Sequence, residues 1–164
     1  MTQTILTLGS IAIPSGAGRG IKQTLVLDGN GEIRRDVNGN LVDLTIPALR
    51  KFKSSVSCAD QSAPSIAGIW RGAILTVGCA VEVSEVVATT TPTLNRTPVS
   101  GSIRAAGTDG TYISVSGTTL SALDGTGHAV VFYRPQLTMM VTDIQIHSDE
   151  WTAGMDWTIE LQEV

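Results

Sequence analysis

The side chains able to do chemistry are few and widely spaced. There are two histidines, His128 and His147, and two cysteines, Cys58 and Cys79. His147 precedes Asp149 and Glu150, residue types that hold metal ions when they converge. The run His147-Ser148-Asp149-Glu150-Trp151 nevertheless reads as a solvated turn between two strands. His128 follows Gly125-Thr126-Gly127 and opens a strand, where an ordinary strand-edge role is expected. A cysteine nucleophile needs a base within hydrogen-bond reach, and no spacing ties either histidine to Cys58. Neither a Gly-x-Ser-x-Gly elbow nor His-Glu-x-x-His is present. The expectation is a protein that is not an enzyme, with no catalytic residue, no metal ligand and no cofactor.

Two glycine-bearing loops imitate ligand sites. Gly16-Ala17-Gly18-Arg19-Gly20 is glycine-rich like a phosphate loop. It lacks the closing Lys-Ser/Thr, and a strand pattern follows where a helix N-terminus would be needed. Asp28-Gly29-Asn30-Gly31 begins like a calcium loop but lacks the remaining ligands and the closing glutamate. A tight turn is expected there.

The elements that would carry these residues are strands. Period-two alternation dominates. One or two strands are predicted over 3–13, broken near Gly9-Ser10, and further strands at 22–27, 56–58, 69–83, 129–133 and 137–146. The last strand alternates Trp157, Ile159 and Leu161 with Thr158, Glu160 and Gln162. Asn38-Gly39 between 33–37 and 40–44 predicts a hairpin on a two-residue type I′ turn. That register sets Val37 opposite Asn40, Arg35 opposite Val42 and Ile33 opposite Leu44, with an Arg34–Asp43 ion pair across the strands. A helical turn is expected after Pro47, with Leu49 and Phe52 turned inward. Residues 84–127 are rich in Thr, Ser, Gly and Ala and poor in large apolar groups. They read as an insertion or projecting arm with short strands near Ile103 and over 112–115. The fold class expected is all-β, a mainly antiparallel sandwich or barrel-like domain over 1–164 with at most one short helix, its core built from 3–83 and 128–164.

Composition narrows the function classes. The 164 residues suffice for one domain with a real core. Net charge is −4, only 16% of residues are charged and 42% are hydrophobic. No Lys/Arg cluster is present to neutralise phosphates, so nucleic-acid binding is not expected. No apolar run approaches the length of a membrane helix, and Met1-Thr2-Gln3-Thr4 shows no secretory leader. The expected product is soluble and made in the cytoplasm. Leu75, Val77, Cys79, Val81 and Val83 alternate with smaller or polar residues, which puts Cys79 on an apolar strand face. Buried thiols are favoured over a Cys58–Cys79 disulfide in a cytoplasmic product.

Two stretches carry a resemblance. One is Arg34-Arg35-Asp36-Val37-Asn38-Gly39-Asn40-Leu41-Val42-Asp43-Leu44, followed by Phe52, Cys58, Ile69-Trp70-Arg71-Gly72 and Val77-Gly78-Cys79. The other is Tyr133-Arg134-Pro135-Gln136-Leu137-Thr138-Met139-Met140-Val141, then Glu150-Trp151 and residues 157–164. Together they resemble small virion structural proteins of tailed bacteriophages, of the tail or baseplate kind. The resemblance covers both ends and not the Thr/Gly-rich middle. It implies a homo-oligomeric virion subunit whose sheets join between copies, with other copies and neighbouring virion proteins as partners. It carries no catalytic residue. A tail tube, tail tip or adaptor role is expected first, and a capsid decoration or head–tail connector role second. A carbohydrate- or surface-binding β-sandwich module is the alternative from another class. Trp70, Trp151 and Trp157 are candidates for either core or interface. The interface residues expected are Arg19 in the 14–20 loop, Arg96, Arg104 and Tyr112 in the 84–127 segment, and Trp151.

Overall fold

β-Branched and aromatic residues in alternation favour strands, and strands are what the chain forms. The computed structural model describes residues 4–28, 33–44, 46, 50–151 and 154–164. Fourteen strands are assigned among them. These are β1 (Thr7–Leu8), β2 (Lys22–Leu27), β3 (Ile33–Arg35), β4 (Leu41–Asp43), β5 (Phe52–Asp60), β6 (Ile74–Gly78) and β7 (Val83–Val87). They continue with β8 (Arg104–Ala106), β9 (Tyr112–Ile113), β10 (Val115–Ser116), β11 (Thr119–Leu120), β12 (Ala129–Tyr133), β13 (Gln136–Asp149) and β14 (Gly154–Glu163). No helix occurs among the described residues. The fold is all-β and antiparallel. One sheet has six strands in the order β1-β6-β13-β14-β5-β2, another has four in the order β7-β12-β8-β9, and β3-β4 and β10-β11 are two-stranded.

The chain divides into two compact units. The first is built mainly from Ser10–Leu75 and Thr138–Val164. Its centre is β14, flanked by β13 and β5. Trp157, Ile159 and Leu161 are buried and sit opposite Cys58, Val56 and Ser54 of β5. On the other side, Leu161 pairs with Val141, Ile159 with Ile144 and Trp157 with Ile146. The register shifts between Val141 and Asp143. This bulge inserts Thr142 and exchanges the two faces of β13. Odd-numbered Met139 and Val141 are buried before it, and even-numbered Ile144 and Ile146 share a face with Ile159 and Trp157 after it. The indole of Trp157 donates to Ala17 O at 3.1 Å, so the largest buried side chain also satisfies its polar atom. Asp28, at the end of β2, is buried and held by Lys53 Nζ at 2.7 Å and by the Gln162 amide.

The second unit comprises Ile5–Gly9 and Thr76–Leu137. Val87, Ala105, Ile113, Leu120, Ala129, Val131 and Tyr133 form its buried cluster, with Val83, Leu94, Ile103, Val115 and Leu123 packed around it. β12 is central, pairing with β7 on one side and β8 on the other. The Tyr133 hydroxyl donates to the Glu85 carboxylate and accepts from Arg96 N, while the Asn95 N–H donates to Glu85. Burial, and then the anionic Glu85, push the Tyr133 phenol well above its ordinary value. Segment 84–127 therefore differs from the expected arm outside the core. It supplies four residues of a buried cluster, and its small apolar side chains fill a core that large ones would overpack.

Several local expectations change. The hairpin register is Ile33–Asp43, Arg34–Val42 and Arg35–Leu41, one residue away from the two-residue-turn register. Asp36 N donates to Asn40 O, which leaves Val37, Asn38 and Gly39 as a three-residue loop. Only Gly39 needs a positive φ, at 84°. The Asp36 carboxylate accepts from the N–H groups of Asn40 and Asn38, and these bonds hold its pKa below the usual carboxylate range. With this register Asp43 stands opposite Ile33 across the hairpin, and its carboxylate lies 3.9 Å from Arg50. The long strand expected over 69–83 is two strands, β6 and β7, interrupted at 79–82. Phe52 and Lys53 belong to β5, while Thr45, Pro47 and Leu49 of the expected helical turn lie outside the described residues. So do Gly29, Asn30 and Gly31 of the expected turn.

Candidate functional site

The reactive side chains do not converge. His147 is not in a turn. It lies within β13 opposite Asp156, because β13 runs on to Asp149. His128 is exposed, with Nδ1 3.1 Å from Thr126 O. No group of three His, Cys, Asp or Glu side chains placed to hold a metal occurs among the described residues. Cys58 and Cys79 are both buried and outside any disulfide. Burial, and then the charges of Asp60 and Asp156, push the Cys58 thiol upward, away from the thiolate a nucleophile requires. Its Sγ donates to Arg19 O at 3.3 Å.

The 14–20 loop is fastened down. Gly16 O accepts from Gln61 N and Ser62 N, and Ala17 O accepts the Trp157 indole. Arg19 holds Asp60 through its backbone N–H at 2.9 Å and its guanidinium at 3.0 Å. Burial raises the Asp60 pKa, but these bonds outweigh it and hold the carboxyl below its ordinary value. A Cβ on Gly18 would stand 2.9 Å from Ile13 Cγ2. Close packing against Ile13 therefore favours glycine there.

The other expected contact residues lie apart. Arg104 reaches Glu82 at 2.6 Å and covers the Phe132 ring at 4.1 Å. Arg96 sits at the Tyr133 network, its backbone N–H on the phenol oxygen and Nη1 on Asn95 O. Tyr112 is exposed on β9. Trp151 is 95% exposed in the turn that follows β13, its N–H fixed by the Asp149 carboxylate at 2.9 Å. Of the three tryptophans, Trp157 is core, and Trp70 and Trp151 face solvent.

One concavity has the make-up of a binding site. It encloses about 600 Å³ and is lined by Ala63, Pro64, Ile66, Ile69, Trp70, Arg71, Asp143, Ile144 and Ile146, among others. Two features of the chain build it. The turn Trp70-Arg71-Gly72-Ala73 closes through Ala73 N to Trp70 O at 3.0 Å, with Gly72 at φ 88°. Gly72 N and Ala73 O then bond to Val141, the residue at which the β13 bulge begins. The bulge brings Ile144 and Ile146 onto the cavity side. At the mouth, Arg71 donates to Asp143 Oδ1 through Nη2 at 2.6 Å and Nε at 3.2 Å, and Gln145 donates to Oδ2. Arg71, and then Gln145, hold the Asp143 carboxyl below the usual range. Trp70 stands at the rim, 77% exposed. Sequence reasoning singled out Trp70 but missed Arg71, Asp143, Ile144 and Ile146. Pattern alone could not find them, because the unseen bulge reverses which residues of β13 point inward.

A second set of residues is apolar and exposed. Val26, Leu27, Ile33, Val37, Leu41, Val42, Leu44 and Ile46 are all exposed. The β3–β4 hairpin has no buried residue, and β2 forms one edge of the six-stranded sheet. Among the described residues no helix is long and apolar enough to cross a membrane. Comparison with protein-family models, with curated proteins and with solved structures finds no match to this chain.

Proposed function

We propose that this protein is a structural subunit of a bacteriophage particle, in the tail or baseplate, that acts by homo-oligomeric assembly. The observation that carries the assembly reading is the set of exposed apolar side chains at Val26, Leu27, Ile33, Val37, Leu41, Val42, Leu44 and Ile46, together with the place of β2 at the end of its sheet. An isolated two-stranded hairpin is marginal in water, and an uncovered apolar edge invites strand pairing. A second copy that covers both resolves each liability. The scattered reactive groups and the raised Cys58 thiol fit a role without catalysis. The assignment to a tail or baseplate rests on the sequence resemblance. A capsid decoration or head–tail connector subunit would use the same surface. A glycan-binding module would favour aromatic side chains gathered on one face, whereas Trp70, Tyr112 and Trp151 belong to three different elements.

Sedimentation velocity across a micromolar concentration series, with electron microscopy of the same samples, tests assembly. Rings, tubes or one discrete multimer support it. A monomer at every concentration refutes it. Antibody labelling of purified phage particles tests the virion assignment, and particles that carry none of the chain would reject it.

A further inference from the structure

We infer that Trp151 of one copy inserts into the Trp70–Ile146 cavity of a second copy, forming a head-to-tail junction; this rests on the assembly reading above. The chain carries both a knob and a hole. Trp151 is a large apolar side chain held out in solvent at a turn, and the Asp149 carboxylate fixes its backbone. The cavity offers about 600 Å³ walled by Ile66, Ile69, Ile144 and Ile146, which is room for an indole. The mouth is a neutral Arg71–Asp143 pair whose guanidinium keeps N–H donors for a second carboxylate. Asp149 and Glu150 precede the knob. Arg71 sits at the mouth with its Nε and Nη2 groups on Asp143, and a guanidinium carries five N–H donors in all. A chain cannot fill its own cavity this way. Trp151 lies five residues beyond Ile146, about 16 Å along an extended strand, and β13 is held to β14 as far as Asp149–Gly154.

Because the two surfaces differ, the contact is heterologous. Such contacts close into rings or run on as filaments. They also make a distinctive prediction for mixtures. Trp151→Ala removes the knob and keeps the hole. Ile146→Glu blocks the hole, repels Glu150 and keeps the knob. Each variant alone should lose the junction, with self-association through it weakened about 30-fold or more, as expected for a buried aromatic anchor. Mixed one to one, the pair retains one good junction, so the mixture should show a higher mass by light scattering than either variant alone. Circular dichroism and melting curves matching the wild type show that both variants fold. Should Ile146→Glu fail to fold, Ile144→Glu replaces it. Undiminished assembly of Trp151→Ala overturns this junction and leaves the assembly reading standing. A monomeric wild type overturns both. Binding of a glycan array by wild-type protein that is lost in Ile146→Glu, with self-association intact, assigns the cavity to a sugar and overturns the junction.

Discussion

Replacing Ile33, Leu41, Leu44 and Ile46 together with serine should weaken self-association by about 30- to 1,000-fold. These side chains are between 55% and 66% exposed in the single chain. Complete burial of an aliphatic side chain contributes about 1.5–3 kcal/mol. The area still open on the four therefore offers about 4–7 kcal/mol to a covering partner. Ordering of the hairpin and loss of rigid-body freedom offset part of it, which leaves about 2–4 kcal/mol. At about 1.4 kcal/mol per decade this gives the stated range. The assay is sedimentation velocity of wild type and variant over matched concentrations. Melting temperature serves as the control. The replaced groups touch water already, so each substitution should change stability by no more than about 0.5 kcal/mol and the four together by no more than about 2 kcal/mol. An unchanged dissociation constant would show that the hairpin faces solvent in the assembly as well. A collapsed melting temperature would show that these side chains stabilise the single chain, against the exposure they have here.

Three further outcomes are expected. Tyr133→Phe removes a charge-assisted bond to Glu85 and should destabilise the protein by about 1–3 kcal/mol in denaturant titration; no loss would mean that water replaces the phenol at no cost. Cys58 and Cys79 should react with a thiol reagent only after denaturation, since both are buried, and fast labelling of native protein would contradict that burial. The Asp124 carboxylate accepts from Thr108, Thr126 and the His128 N–H, which hold its pKa far below the ordinary value. Its stabilising effect is complete above the unfolded-state value of about 3.9 and is lost as pH falls toward the folded-state value. Asp124→Asn should therefore lower stability at pH 7 and flatten its decline between about pH 5 and pH 3, as followed by melting curves; an unaltered acid profile would deny Asp124 that role.

Much of the strand framework was legible from alternation. β2 occurs over the expected residues, and Trp157, Ile159 and Leu161 take the buried face that their spacing indicated. The hairpin was visible in Asn38-Gly39, but its register was not. The Asp36 side chain caps the loop and favours three loop residues over two, a competition that turn statistics for Asn-Gly do not include. The part of the second buried cluster within 84–127 was hidden because Val87, Ala105, Ile113 and Leu120 are scattered among Thr, Ser and Gly and look like loop composition until Tyr133 packs among them. The cavity was hidden for a different reason. It depends on a bulge, and alternation read along one strand continues through a bulge without marking it. Arg19 and Arg104 were read as contact residues from their place in the 14–20 loop and the 84–127 segment, and in the fold their guanidiniums pair with Asp60 and Glu82.

The bulge at Thr142 also makes the cavity a matter of counting. Upstream of it the face of β13 follows odd numbers, and downstream it follows even ones. Deleting this one residue, or adding one beside it, would turn Ile144 and Ile146 to the opposite face while leaving every codon on either side untouched. Gain or loss of the cavity would then be a single-step event, and it would carry with it the pairing of Ile144 and Ile146 against Ile159 and Trp157. A lineage of such chains could acquire or erase the concavity by the insertion or removal of one triplet.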